Sequence, residues 1–177
     1  MSQLTDFLEG KASDHKGGRL LNDIWQFDHF NLEYLHDYIQ WVFPLDSVSR
    51  SNKHAPALTL EDCAYCQQSE LIQQNQLKSL DLMLAYYGLI RQGNVISACD
   101  NLNMKQHIWL KRGGHNQLRI TRIIRSLALC GNQLVATSLQ ACVLKYGVEK
   151  GCVQPKVLEF WQNAMSNIRC ENYNLSE

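Results

Sequence analysis

Apolar residues recur at intervals of three and four positions along nearly the whole chain. This spacing is typical of amphipathic α-helices. It is clear between Glu70 and Ile90, where Leu77, Leu84 and Tyr87 fall on one face. The alternation expected of a half-buried strand is not evident. The pattern therefore predicts an all-α fold.

Capping residues and prolines delimit the helices. Asp28 is a good N-cap for a helix that runs to Phe43 and ends before Pro44, because a residue preceding proline avoids the α region. Thr59 and Asp62 resemble a capping box at the next helix. We expect about seven helices in one compact domain over residues 1–177, with its core at about 5–165. Helices are predicted at residues 4–9, 28–43, from 59, 70–90, 104–110, 115–130, 133–146 and 155–168.

One predicted helix is apolar nearly all the way round but carries a narrow polar strip. The strip within LEYLHDYIQWVFPLD consists of Glu33, His36, Asp37 and Gln40, whose spacing places them on one face. It is either the solvated side of the helix or a buried strip that meets polar partners. In the second case each group must be paired, because an unpaired buried polar group costs about 1–3 kcal/mol.

A second helix, HNQLRITRIIRSLALCG, supplies a matching polar set. Arg119 borders its apolar stripe, Arg122 follows one turn later, and His115 and Asn116 begin the helix. A guanidinium beside a core stripe favours a carboxylate partner. Glu33 and Asp37 are the candidates for that role.

We therefore predict a polar seam between the two helices, which either fixes their register or lines a binding pocket. Its predicted residues are Glu33, His36, Asp37, Gln40, His115, Asn116, Arg119 and Arg122. No catalytic residue, metal ligand or cofactor is assigned.

Charge is unevenly distributed, although the net charge is zero. Residues 101–148 contain no acid and seven bases: Lys105, Lys111, Arg112, Arg119, Arg122, Arg125 and Lys145. Either the acidic first part of the chain neutralises this segment, or the segment faces an anionic partner such as a nucleic acid.

Seven cysteines and the absence of an export signal favour thiols over a disulfide framework. Cys63 and Cys66 form one C-x-x-C pair. A structural zinc site needs four ligands, so this pair is either half of a site or two helix cysteines one turn apart. The second reading is expected.

No apolar run approaches the roughly 18–20 residues of a membrane span. The N-terminus lacks a basic segment followed by an apolar one, so a cytoplasmic location is expected. No phosphate loop, nucleophile elbow or HExxH motif is present. The main hypothesis is thus a binding module for a peptide, protein or small molecule. The alternatives are a nucleic-acid-binding domain using residues 101–148 and an enzyme using His36, Asp37 and His115.

Three segments in order resemble the opioid growth factor receptor conserved region. They are HDYIQWVFP at 36–44, LMLAYYGL at 82–89 and HNQLRITRIIRSL at 115–127. PKVLEFWQNA, from Pro155, resembles the final helix of bacterial members. Gln117 departs from the family pattern, which has an apolar residue there.

The resemblance implies an all-helical domain, here of the bacterial, domain-only type. Animal members are described as receptors for an enkephalin peptide that are associated with the nucleus and act on cell proliferation. Bacterial members have no established activity as a group. The resemblance assigns no peptide-binding residue to this sequence.

Overall fold

The computed structural model of the chain describes residues 2–14, 18–48 and 54–168. These residues form nine α-helices, one 3-10 turn and one β-hairpin. The helices are α1 (Gln3–Leu8), α2 (Leu21–Ile24), α3 (His29–Tyr34), α4 (Ile39–Val42), α5 (Leu60–Gln68), α6 (Glu70–Tyr87), α7 (His115–Leu129), α8 (Gln133–Glu149) and α9 (Pro155–Gln162). The fold is mostly helical, as expected, but the predictions of a strictly all-α fold and of seven helices are wrong.

The hairpin replaces the last turn of the helix predicted to reach Ile90. Strands β1 (Leu89–Gln92) and β2 (Val95–Ala98) pair antiparallel. Gly88 ends α6 in the left-handed conformation, with φ +70°, and a Cβ at this position would lie 2.4 Å from Nε2 of His107. Glycine is therefore needed to turn the chain here. Each strand has only four residues, too few for a recognisable alternation.

The helix predicted from Asp28 to Phe43 is broken in two. Asp28 is the N-cap, as predicted, and its carboxylate accepts from the Asn31 amide at 2.8 Å. However, α3 ends at Tyr34, and Leu35 is extended with ψ 129°. The chain resumes helical geometry only at α4. The break changes the direction of every polar side chain assigned to the strip.

Helix α7 lies at the centre of the packing, against α5, α8, α9 and the 3-10 turn (Ile108–Leu110). Its predicted core stripe is confirmed: Ile120, Ile123, Ile124 and Leu127 are fully buried. The helix predicted at 104–110 is wrong: residues 104–107 form turns and a loop, and only the 3-10 turn at Ile108–Leu110 is helical. The capping box of Thr59 and Asp62 is present at α5, with both hydrogen bonds at 3.0 Å.

Gln117, the departure from the family pattern, is buried and satisfied. Its Nε2 donates to the carbonyls of Trp109 at 3.0 Å and Lys111 at 2.7 Å. The backbone carbonyl of Gln117 accepts a hydrogen bond from the indole N–H of Trp161 at 3.0 Å. A polar side chain is tolerated here because it joins the 3-10 turn to the start of α7.

Candidate functional site

Arg119 is the most deeply buried charged residue of the predicted site, with 5% of its surface exposed. Its guanidinium donates to the carbonyls of Leu32 at 2.5 Å and Leu35 at 2.8 Å, with a longer contact to the Glu33 carbonyl at 3.5 Å. The carbonyls of a helix's last turn lack intrahelical partners. Arg119 therefore caps the broken end of α3, and we call this arrangement the arginine clamp.

The arginine clamp also reaches two neighbouring side chains. Nη2 of Arg119 lies 3.2 Å from Nδ1 of His36, which must accept because a guanidinium only donates. Tyr38 donates to the Leu32 carbonyl at 3.2 Å, and burial raises the pKa of the Tyr38 hydroxyl to about 12. The clamp thus fixes the residues on both sides of the break.

The predicted pairing of Arg119 and Arg122 with Glu33 and Asp37 is wrong. Among the described residues, no carboxylate lies within ion-pair distance of either arginine. The break in the helix explains this, since it turns Asp37 towards Arg19 at 3.0 Å, while Arg19 also pairs with Asp14 at 2.5 Å. Backbone carbonyls take the place of the expected carboxylates.

Glu33 belongs instead to a separate network at the start of α7. Its carboxylate accepts from the Tyr86 hydroxyl and from Nδ2 of Asn116 at 2.9 Å. It also lies 3.5 Å from Nε2 of His115. Burial raises the pKa of Glu33, but the bonds from Tyr86 and Asn116 and the nearby positive charge outweigh it, so the pKa lies below its usual value. Glu33 thus stays ionised at neutral pH.

His36 and His115 face one another across the predicted seam. Their ring centroids are 4.7 Å apart in an edge-to-face arrangement. The pKa of His115 is lowered, first by burial and then by the positive charges of Arg119 and His36. The Glu33 carboxylate raises this pKa, but by less than the other effects lower it. His115 is therefore mostly neutral near pH 7.

A cleft of about 610 Å³ opens between α4, α7 and α9. Five of the eight predicted site residues line it: His36, Gln40, His115, Arg119 and Arg122. Glu33, Asp37 and Asn116 lie outside the lining. The prediction that the two segments meet is confirmed, and the seam includes an open cleft.

The cleft combines apolar walls with positive charge. The apolar walls are Ile39, Leu45, Leu118 and Phe160, and Arg125 adds to the polar lining. No aspartate or glutamate is among the described lining residues. Arg125 is balanced by Asp46, with two bonds of 2.8 and 2.6 Å. The excess positive charge of the cleft therefore comes from the other arginines.

Sequence reasoning missed several lining residues for two different reasons. Leu118 and Arg125 lie three and ten positions after His115, so helical spacing along α7 could have indicated both. Phe160 comes from α9, and nothing in the local sequence places that helix beside α4. Tyr86 was assigned only to a core helix, although it holds Glu33.

Three of the seven bases of the basic segment have partners within the fold. Arg119 donates to carbonyls of the α3 end, Arg122 donates to the Phe43 carbonyl at 3.1 Å, and Arg125 pairs with Asp46. The four other bases are exposed: Lys105, Lys111, Arg112 and Lys145. Intramolecular partners thus account for three of the seven charges.

Cys63 and Cys66 are both buried in α5. Interaction with the Cys130 thiol, together with burial, holds the pKa of Cys66 well above its usual range, so this thiol is not activated. Within residues 2–14, 18–48 and 54–168, no three histidine, cysteine or acidic side chains are arranged to hold a metal. In the same ranges, no helix has the length and apolar character needed to cross a bilayer.

Fold and site together define a mostly helical domain in which an arginine-bearing helix faces a cationic, apolar-walled cleft. The chain belongs to the opioid growth factor receptor conserved-region family, because residues 14–173 match the family described as "Opioid growth factor receptor (OGFr) conserved region". The resemblance seen in the three sequence motifs is confirmed.

Curated relatives agree with this assignment. The chain is 30% identical over 175 residues to mouse opioid growth factor receptor, which covers 94% of this chain and 27% of the mouse protein. It is 32% identical over 165 residues to the human opioid growth factor receptor, and the match covers 88% of this chain and 24% of the human protein. Rat opioid growth factor receptor-like protein 1 is 30% identical to the chain over 144 residues, and the match covers 80% of this chain and 30% of the rat protein.

The chain spans less than a third of the length of these relatives. No solved structure matches the chain.

The arginine clamp can be tested with Arg119→Met, which keeps much of the side-chain volume but removes the donors. We expect a loss of about 2–6 kcal/mol in the free energy of unfolding, because two buried carbonyls each lose a donor worth about 1–3 kcal/mol. Urea unfolding measures this loss. Arg112→Met, at an exposed position, should change stability by no more than about 0.5 kcal/mol. Equal effects of the two substitutions would argue against the clamp.

The environment of His115 predicts acid sensitivity. Glu33 of α3, His36 of the interhelical segment and Arg119 of α7 face its ring, and its pKa is lowered in the folded state. The unfolded chain then binds more protons below about pH 6.5, so stability falls as the pH falls through this window. The melting temperature should therefore drop between about pH 7.5 and about pH 5.5.

His115→Gln keeps a neutral donor near Glu33 and should make that drop smaller. Burial also lowers the pKa of His107, so part of the acid sensitivity should persist until His107→Gln is added. An unchanged drop in His115→Gln would show that this histidine does not contribute.

Proposed function

We propose that the chain is a ligand-binding module of the opioid growth factor receptor type and that the cleft between α4, α7 and α9 is its binding site. The observation that carries the proposal is the cleft itself: apolar walls beside polar side chains, with no acid in its described lining. Its volume of about 610 Å³ falls within the range of roughly 300–1,000 Å³ common for small-ligand sites.

The eight residues predicted from the sequence divide into two roles in this proposal. His36, Gln40, His115 and Arg122 face the ligand, since they line the cleft. Arg119 lines it too, but its donors are occupied by backbone carbonyls. Arg119, Glu33, Asn116 and Asp37 therefore have supporting roles: the first three hold residues of the site, and Asp37 pairs with Arg19.

The names of the relatives are consistent with a binding role. The mouse and human proteins are named receptors for an opioid growth factor. This chain matches about a quarter of each, so that role is carried over here only as support for ligand binding.

The two alternative functions gain less support. For an enzyme, Thr121 is the only hydroxyl or thiol among the described lining residues, and its hydroxyl donates to the Gln117 carbonyl at 3.1 Å. For nucleic-acid binding, three of the seven basic side chains of residues 101–148 are bound within the fold. We advance neither function further.

Nuclear magnetic resonance can test whether the cleft is a ligand site. The ¹⁵N-labelled protein is titrated with a small library of neutral, cationic and anionic apolar fragments. Amide shifts should cluster in α4, α7 and α9, because the cleft between them combines apolar walls with polar side chains.

Two matched variants sharpen the result. Leu118 lines the cleft and is 60% exposed, whereas Leu134 of α8 is 69% exposed and lies outside it. Leu118→Glu should abolish or alter the shifts, and Leu134→Glu should retain them. A second cleft contains His29, Arg91 and His107. Amide shifts that cluster there instead, and that are unchanged in Leu118→Glu, would refute the proposal.

A further inference from the structure

Arg122 differs from the other two arginines of its row on α7. Arg119 has several carbonyl acceptors, and Arg125 has a carboxylate. Arg122 has one hydrogen bond among the described residues, from Nη1 to the Phe43 carbonyl at 3.1 Å. A guanidinium carries five N–H groups, so most donors of Arg122 remain available to the cleft that it lines.

Arg122 is also an uncompensated charge. Burial lowers its pKa to about 10, and no other effect opposes or assists that shift. A partly buried arginine that lines a cleft normally has a carboxylate or phosphate partner. The described lining of the cleft offers none.

Gln40 provides an independent sign of a missing partner in the same cleft. The side chain is only 6% exposed, and its buried Oε1 has no hydrogen-bond partner. Its amide makes no hydrogen bond to the described part of the chain. Buried polar groups are nearly always paired, and the side-chain amide of Gln40 has no partner among the described residues. Because Oε1 only accepts, the Nε2 donors of Gln40 and the free donors of Arg122 are the groups that can bind an anion in the cleft.

The rest of the cleft limits that group to a single negative charge. Arg119 and Arg125 are already engaged. His36 accepts from Arg119 through Nδ1, and His115 has a lowered pKa and adds little charge near pH 7. One available guanidinium matches a carboxylate, whereas a phosphate dianion would favour a second cation.

The apolar walls define the remainder of the ligand. Leu118 and Phe160 line the same cleft as Arg122 and are 60% and 40% exposed, and Ile39 and Leu45 complete its apolar lining. We propose that the cleft binds an apolar monocarboxylate, whose carboxylate accepts hydrogen bonds from the Arg122 guanidinium and from Nε2 of Gln40 and whose apolar body lies against Leu118 and Phe160. This inference rests on the proposed function, because it requires the cleft to be a ligand site.

The carboxylate can belong to a free small acid or to the C-terminus of a peptide. Both present the same planar anion next to an apolar group. The shared chemistry is tested first, with three probes that have the same phenylalkyl body: 4-phenylbutyrate, 4-phenylbutanol and 4-phenylbutylamine.

The full chain is titrated with each probe and followed by amide shifts of the cleft residues. The acid should bind at least about tenfold more tightly than the alcohol, and the amine more weakly than either. Arg122→Gln should weaken binding of the acid by about tenfold or more and leave the alcohol unchanged. Arg112→Gln, at an exposed position, should leave the binding of all three probes unchanged.

A second variant guards against misfolding of Arg122→Gln. Leu118→Glu places a negative charge at an exposed position of the cleft and should repel the acid more than the amine. Equal or tighter binding of the alcohol or amine in wild-type protein would overturn the monocarboxylate inference and leave the cleft as a ligand site. Shifts for none of the three probes, with other fragments still mapping to the cleft, would overturn it in the same way.

The source of the carboxylate is distinguished with N-acetyl-leucyl-phenylalanine and its C-terminal amide. If the dipeptide acid binds about tenfold more tightly than 4-phenylbutyrate and the amide loses that affinity, the ligand is a peptide terminus. If 4-phenylbutyrate binds as tightly as the dipeptide acid, the ligand is a small acid. Equal affinity of the dipeptide acid and its amide would contradict a role for the carboxylate.

Discussion

The hydrogen bonds from Arg119 to the backbone carbonyls at the end of α3 are the interaction on which the site depends. A buried arginine such as Arg119 requires acceptors for its guanidinium, and the carbonyls of Leu32 and Leu35 require donors once the helix is interrupted. Each side supplies what the other lacks. The break at Leu35 and the burial of Arg119 therefore stabilise one another, and α4 is directed towards α7 as a result.

The three arginines of α7 then divide the charge of the domain between structure and binding. Arg119 holds the α3 end, and Arg125 holds Asp46 together with the carbonyls of Ala164 and Ser166 after α9. Arg122 lies between them, with a single carbonyl contact among the described residues. Arg119 and Arg125 hold the walls of the cleft in place, and the guanidinium of Arg122 faces the space between those walls.

Much of the fold could be predicted from the sequence, because helical periodicity and capping residues act locally. Asp28, Thr59 and the core stripe of α7 behave as their local sequence indicates. The break at Leu35 could not be predicted, since residues 34–38 contain neither glycine nor proline and the cause is an arginine more than eighty positions away. For the same reason the sequence predicts that the two polar sets meet but assigns carboxylate partners to arginines that bind backbone carbonyls. Helical spacing identifies the face on which a residue lies, but not the acceptor opposite it.

The central claim is that Arg119 caps an interrupted helix rather than pairing with a carboxylate. Nuclear magnetic resonance of residues 29–43 and of the Arg119 side chain tests it most directly. The account predicts helical Cα shifts in α3 and α4, non-helical shifts at residues 35–38, and slowly exchanging Arg119 guanidinium protons coupled to the carbonyl carbons of Leu32 and Leu35. Uninterrupted helical shifts through residues 29–43, with rapidly exchanging guanidinium protons, would contradict it.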